Sequence, residues 1–274
     1  MTKIKAHPLI LFFILAFLLP WLVWGTTIAQ TRGILSFHIP QSLAFWVGLT
    51  LATFLSAAIT GGIPAIKDLF YRMIRWRVNP IWYIAALTLT GILGVVSIGI
   101  HLVFGGTHQV GVLLPLSNLL PSLLFQIFFF WLTEETAWRG FALPRLQSKY
   151  NPTISSLILG LLWGLWHIPL FFIPGSFQST IPFTGFILSA VAISILMTWV
   201  FNHTKGSVLV AAVFHAATDV TIAFTNVMSG DLRLFWIFII VQWAAAIGTI
   251  FIHDPIRLSR VTDLRQVIYA PENR

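Results

Sequence analysis

The 274-residue chain contains no cysteine, which excludes disulfides, cysteine nucleophiles, Cys-ligated zinc and iron–sulfur clusters. Charge is nearly as scarce. Only 9% of residues are Asp, Glu, Lys or Arg, against roughly 25% in an ordinary soluble domain, too few to cover a water-facing enzyme. Acidic residues number eight, against 16 Lys and Arg. There is no HExxH signature, internal repeat, low-complexity tract or soluble domain. What fills the chain is apolar: 57% hydrophobic, with 12 Trp, 24 Phe and a mean hydropathy of +0.89. Such a chain has lipid as part of its solvent, with Trp suited to the headgroup level.

The expected fold is all-α, a polytopic membrane protein with about eight transmembrane helices. Eight apolar stretches lie near 8–29, 41–62, 81–104, 119–149, 152–174, 183–202, 206–228 and 232–252, most close to the roughly 20 residues a span needs; the fourth is longer, with Pro144 as its expected kink. The first, behind Lys3 and Lys5, is read as a retained span, since it exceeds a usual signal-peptide core and lacks a clear small-x-small site. The expected parts are an N-terminal helical segment with a basic interfacial stretch (1–118), a catalytic helical core (119–228), and a last span with a tail (229–274).

Basic residues set the expected orientation. With both termini cytoplasmic, thirteen lie inside: Lys3, Lys5, Lys67, Arg72, Arg75, Arg77, Arg145, Lys149, Lys205, Arg257, Arg260, Arg265 and Arg274. Only Arg32 and Arg233 lie outside, a strong positive-inside bias. The expected setting is a bacterial plasma membrane. The net charge of +8 then faces the anionic headgroups of the inner leaflet, and nucleic acid is not an expected partner. The stretch 67–77 reads either as a basic helix in the interface or as an ordinary positive-inside loop.

Five of the acids fall where water reaches them: Asp68, Asp231, Asp254, Asp263 and Glu272. Glu134, Glu135 and Asp219, with Arg139, are embedded in apolar helices. A charge at a helix centre costs about 2.5–3.5 kcal/mol, so four unpaired charges would sum to roughly 10 kcal/mol, comparable to a whole domain's stability. They must meet one another or a wet cavity. Glu135 and Arg139 are four residues apart in the favourable order for an ion pair. Glu134 is rotated about 100° from Glu135 and stays free for chemistry. His215 and Asp219 share one helix face. Asn151 and Pro152 read as N-cap and N1 of the fifth helix. Glu134 and His167 then fall about 24 Å from that turn on two antiparallel helices, at matching depth. Two Glu, two His, one Asp and one Arg converge on one layer.

These residues resemble the CPBP family of intramembrane proteases (CAAX protease and bacteriocin-processing, or Abi, family), which includes the type II CAAX prenyl endopeptidases. Its EExxxR motif reads here as Glu134-Glu135-Thr136-Ala137-Trp138-Arg139. FxxxH reads as Trp163-Gly164-Leu165-Trp166-His167, and HxxxN/D as His215-Ala216-Ala217-Thr218-Asp219. The similarity covers about 120–228, and 75–83 resembles the segment that often precedes these motifs. Two departures stand out: Trp163 for Phe, expected to be a packing change, and Asp219 for the commoner Asn.

The resemblance implies an intramembrane endopeptidase acting on membrane-associated protein or peptide substrates, prenylated ones among them. Glu134 and His167 would hold and deprotonate a water. His215 and Asp219 would polarise the carbonyl, with Glu135 and Arg139 as their scaffold. Alternatively, zinc held by Glu134, His167 and His215 would activate the water. Two other classes remain open: a proton- or cation-coupled transporter using the same charges, and a silent membrane scaffold. Elsewhere the expectation is structural. His101 is a packed histidine; His7, His38, His108, His203 and His253 are interfacial. Gln126 is interhelical glue, and Gly160, Gly164, Ala211 and Ala212 permit close helix packing.

Overall fold

In a computed structural model, residues 7–108, 116–253 and 258 are described. The tail, with Arg257, Arg260, Asp263, Arg265, Glu272 and Arg274, lies outside them, as do Lys3, Lys5 and Asp254. The chain is an all-α polytopic membrane protein. Among the described residues, seven helical stretches are long and apolar enough to cross a membrane. These are α1 (Pro8–Thr31), α2 (Thr50–Met73) led in by a π-helical turn π1 (Ala44–Leu49), α3 (Ile81–Val103), α6 (Pro152–Trp166) with the 3-10 segment Ile168–Phe172, α7 (Phe183–His203), α8 (Val208–Thr225) and α9 (Leu232–His253).

The stretch expected as one span over 119–149 is not a single helix and is not among those seven. It is built from α4 (Leu119–Leu132), a π-helical segment π2 (Thr136–Ala142) and α5 (Leu143–Gln147). The break falls at Thr133 (φ −112°, ψ −92°), not at Pro144. Breaking a helix in lipid frees carbonyls that must find other donors. Threonine hydroxyls supply them: Thr136 donates to Trp131 O at 2.5 Å and Thr50 to Leu132 O at 3.3 Å.

The second span overruns its expected end at 62. Gly62 takes φ +62°, a conformation open to glycine at no steric cost; the chain turns there and stays helical to Met73. The basic stretch is therefore helical only to that point. There Leu69, Arg72 and Met73 are buried, while Phe70, Tyr71, Ile74 and Trp76 are exposed, as on an interfacial helix. Arg72 makes a two-pronged bond to Asp68, at 2.9 and 3.0 Å.

The loops gather at two ends. At one, Ser207 Oγ donates to Arg75 O at 2.5 Å, Gln147 donates to Asn202 at 3.1 Å, and His203 packs on Trp82 with centroids 4.5 Å apart. Lys67, Arg72, Arg75, Arg77, Arg145, Lys149 and Lys205 flank these contacts in the chain. At the other end stand Arg32 and Arg233, the latter donating to Phe104 O at 3.2 Å. Asp231 begins α9 there, accepting from the backbone N–H groups of Arg233 and Leu234. The Leu234 N–H, then that of Arg233 and the charges of His101 and Arg233, hold its carboxyl below the usual carboxylate range. His101 is the packed histidine expected: fully buried, 3.6 Å from Asp231 and 3.3 Å from Thr107 O.

Close helix approach follows the small residues. A Cβ on Gly160 would sit 2.8 Å from the Val191 Cα, so α6 and α7 meet backbone to backbone. Ala212 and Ala216 of α8 form the bed for Phe130 of α4.

Candidate active site

The layer predicted from charge placement exists. Glu134, Glu135, Arg139, His167 and His215 are all buried, and Asp219 is half-buried. Glu134 and Glu135 sit where the chain re-enters a helix after Thr133, and the rest of the first motif, Thr136 to Arg139, runs into the π-helical turn π2. His167 is the residue that caps α6, just before the 3-10 segment. His215 and Asp219 lie on one face of α8, as their spacing requires. The turn holding α6 in place is the one expected: Asn151 Oδ1 accepts from Ile154 N at 2.8 Å, with Pro152 at N1.

Behind the layer, Glu135 is shared. Its Oε1 accepts from Arg139 at 3.0 Å and from His215 Nδ1 at 2.7 Å. Because a carboxylate oxygen bonded this way only accepts, the His215 proton is fixed on Nδ1, leaving Nε2 as the working atom. The His215 ring is stacked on Phe130, with centroids 3.6 Å apart and planes within 3°. His167 is set in the same manner: Nδ1 donates to Trp163 O at 2.9 Å.

Trp163 is the residue whose role went unread. Its indole N–H donates to Glu134 Oε2 at 2.7 Å. Its ring lies 5.0 Å from the Arg139 guanidinium and edge-on to His215 at 5.2 Å, and its carbonyl holds His167. A phenylalanine offers no such donor, so Trp163 is more than a packing change. A second indole, Trp138, donates to the same oxygen at 3.3 Å. Its place four residues after Glu134 was a readable signal. Glu134 is thus unclaimed by Arg139, as expected, but not unheld.

These groups border a cavity of about 520 Å³, within the usual size of small-molecule and peptide side-chain sites. Glu134, His167, His215 and Asp219 line it, while Glu135 and Arg139 stand behind. Asp219 makes no side-chain hydrogen bond among the described residues. Gln126, expected as glue, lines the cavity, and its buried side-chain oxygen has no partner among the described residues. Ser189 also lines it and donates to Gln242 at 2.8 Å.

The zinc alternative draws on Glu134, His167 and His215, all of which line the cavity. Among the described residues no three His, Asp or Glu side chains are grouped to hold a metal ion. Glu134 Oε2 is drawn toward two indoles, while each imidazole spends Nδ1 on a carbonyl or carboxylate and leaves Nε2 open, as a metal-ligating histidine also does.

Residues 115–221 match the family described as type II CAAX prenyl endopeptidase, Rce1-like. All three motifs lie within that stretch. Over that stretch the helical core of this chain is similar to the Rce1-like family. An 89-residue segment is 37% identical to "CAAX prenyl protease 2" of Methanococcus maripaludis, covering 30% of this chain and 32% of that protein. The chain therefore matches about a third of its curated relative's length. Within the matched stretch, Trp163 stands in the second motif where the pattern has Phe, and it is this position that grips Glu134.

Proposed function

We propose that the protein is an intramembrane endopeptidase that hydrolyses peptide bonds of membrane-associated substrates with a water activated by its own side chains. The observation that carries this reading is two carboxylates and two oriented imidazoles lining one apolar cavity inside a helical membrane protein. His167, protonated on Nδ1, turns an unprotonated Nε2 toward a water. Glu134, held through Oε2, takes the proton as the water attacks the scissile carbonyl, and returns it to the leaving amine nitrogen as the C–N bond breaks. His215, backed by the Glu135 carboxylate, donates from Nε2 to the developing oxyanion when protonated there. Asp219, one turn on, faces the same space and positions the substrate amide. Glu135 and Arg139 keep the His215 ring in place. The Rce1-like match and the name of the archaeal relative support peptide-bond hydrolysis as the reaction class. Prenylated chains belong to the substrates this reading admits.

In the membrane, the basic end faces the cytoplasm and its anionic headgroups, so both termini lie inside. The test is peptide cleavage by the purified protein in detergent, with and without a chelator. Glu134→Gln is nearly isosteric, and removing a positioned base typically costs about 10²–10⁴-fold. Cleavage should fall at least that far in the folded variant and persist in the chelator-treated wild type. Near-wild-type turnover by a folded Glu134→Gln protein would refute the mechanism.

A further inference from the structure

We infer that Gln126 positions the substrate: its side-chain amide pairs with the N–H and C=O of one backbone residue of the bound peptide, close to the scissile bond. This rests on the endopeptidase reading and deepens it. Gln126 lies in the middle of α4, among apolar residues, and lines the cavity. Its amide oxygen is buried and has no partner among the described residues. A buried acceptor without its hydrogen bond carries its full desolvation cost, and such a group calls for a reason. Two other neutral polar side chains of the lining are already engaged. Ser189 donates to Gln242, and Thr218 donates to Phe214 O with the Thr90 hydroxyl 3.2 Å away.

The packing of α4 on α8 sets this amide beside the chemistry. A Cβ on Gly140, beyond α4, would lie 3.2 Å from the Val208 side chain, while Phe130 rests on Ala212 and Ala216. Later residues of one segment thus meet earlier residues of the other, and the two run antiparallel. Phe130 is stacked on His215 with centroids 3.6 Å apart. Four residues before Phe130 stands Gln126, and four residues after His215 stands Asp219. Each is about 6 Å along its helix, at about 1.5 Å per residue, and in antiparallel helices both steps lead the same way. Gln126 and Asp219 therefore share a level one turn from the stacked rings, and both line the cavity.

A primary amide is suited to a peptide backbone. In an extended chain the N–H and C=O of one residue point to the same side, and glutamine offers an acceptor and a donor to meet them. The pairing is neutral and indifferent to side-chain identity, so it fixes where the substrate lies without selecting its sequence. Backbone amides also need such partners wherever water is absent. An extended peptide advances about 3.3 Å per residue, so a hold about 6 Å from the His215 level falls about two residues from the scissile carbonyl.

The test uses the full chain in detergent, a fluorogenic apolar peptide, and a series of its ester analogues. Each analogue has one backbone N–H replaced by oxygen, away from the scissile bond. Gln126→Met conserves the length and approximate volume of the side chain and removes the amide. Its melting temperature should equal or exceed that of the wild type, because no bond within the protein is lost. Its kcat/KM for the parent peptide should fall about 5- to 150-fold, from the loss of two neutral hydrogen bonds. In the wild type, the ester about two residues from the scissile bond should cost about 3- to 10-fold. In Gln126→Met the same ester should cost nothing further, while esters elsewhere cost both proteins alike. A Gln126→Met protein that melts lower or fails to fold makes Gln126 a bond between helices and overturns the inference. Wild-type kcat/KM in that variant, or ester losses identical in the two proteins at every position, overturns it too and leaves the peptidase reading intact. A parent peptide that wild type does not cleave, or cleaves equally after Glu134→Gln, overturns the peptidase reading and this assignment with it.

Discussion

Trp163→Phe separates gripping the base from packing around it. The substitution keeps an aromatic ring beside Arg139 and His215 and deletes one atom pair, the indole N–H donating to Glu134 Oε2 at 2.7 Å. What remains on that oxygen is the longer bond from Trp138, at 3.3 Å. A hydrogen bond to a charged group is worth about 1.5–3 kcal/mol. If that hold keeps Glu134 in line with the attacking water, its loss appears in the barrier. At roughly 1.4 kcal/mol per factor of ten, kcat should fall about 10- to 150-fold. KM should stay within about threefold, because the deleted donor faces the carboxylate rather than the substrate. The assay is steady-state cleavage by protein whose folding is checked by thermal melting. Combined with Glu134→Gln, the second change should add almost nothing, since the two act as one unit. A folded Trp163→Phe protein with wild-type kcat, or with its whole loss in KM, would show that the indole only fills space.

Arg139→Ala strips Glu135 of one of its two partners and leaves a fully buried carboxylate under-compensated; a loss of about 3–5 kcal/mol should show as reduced yield and a lower melting temperature as well as lost activity. Asp219→Asn should be milder than Glu134→Gln in the same cleavage assay, because an amide can still bond the substrate. Gly160→Val drives a Cβ toward the Val191 backbone 2.8 Å away; overpacking of this kind costs about 1–3 kcal/mol, read by melting in detergent. Asp231 has a lowered folded value, so its contribution is present above the unfolded carboxylate value near 3.9 and is lost as the pH falls through the folded one. Asp231→Asn should therefore lower the melting temperature at pH 7 and make little difference at pH 2.

Hydropathy located the ends of several spans closely. The runs at 8–29, 183–202 and 232–252 became Pro8–Thr31, Phe183–His203 and Leu232–His253, because a helix in lipid must bond its own backbone from one polar boundary to the next. The Glu135–Arg139 pair was legible for a related reason: a charge placed in lipid at high cost must have a partner within reach. Other features left no apolar signature. Gly61-Gly62 and Pro64 read as a helix end, yet Gly62 turns the chain and the helix resumes. The break at Thr133 has no Gly or Pro beside it; its cause is a set of hydroxyls that receive the freed carbonyls, one of them Thr50 from a distant span. Trp163 was misjudged because its substitution for Phe was weighed by volume. The indole N–H matters only once α6 is known to face Glu134. Gln126 was misplaced because glue and cavity lining use the same side chain, and only the packing of α4 distinguishes them.

The wide turn π2 has an evolutionary reading. A π-helical turn amounts to an α-helix carrying one residue more than it needs, and such turns gather at functional sites. Removing a single residue from Thr136–Ala142 would let the segment relax into an ordinary α-helix. Everything on its N-terminal side, Glu134 included, would then rotate by about 100° relative to α5. The shortened chain could gain backbone regularity while losing its catalytic alignment. The first π-helical turn borders the cavity through Phe45, and the second begins two residues after Glu134, which also lines it. Chain length in these two turns is therefore under tighter constraint than residue identity along most of the lipid-facing surface. A relative lacking one of these residues would be expected to fold but not to cleave.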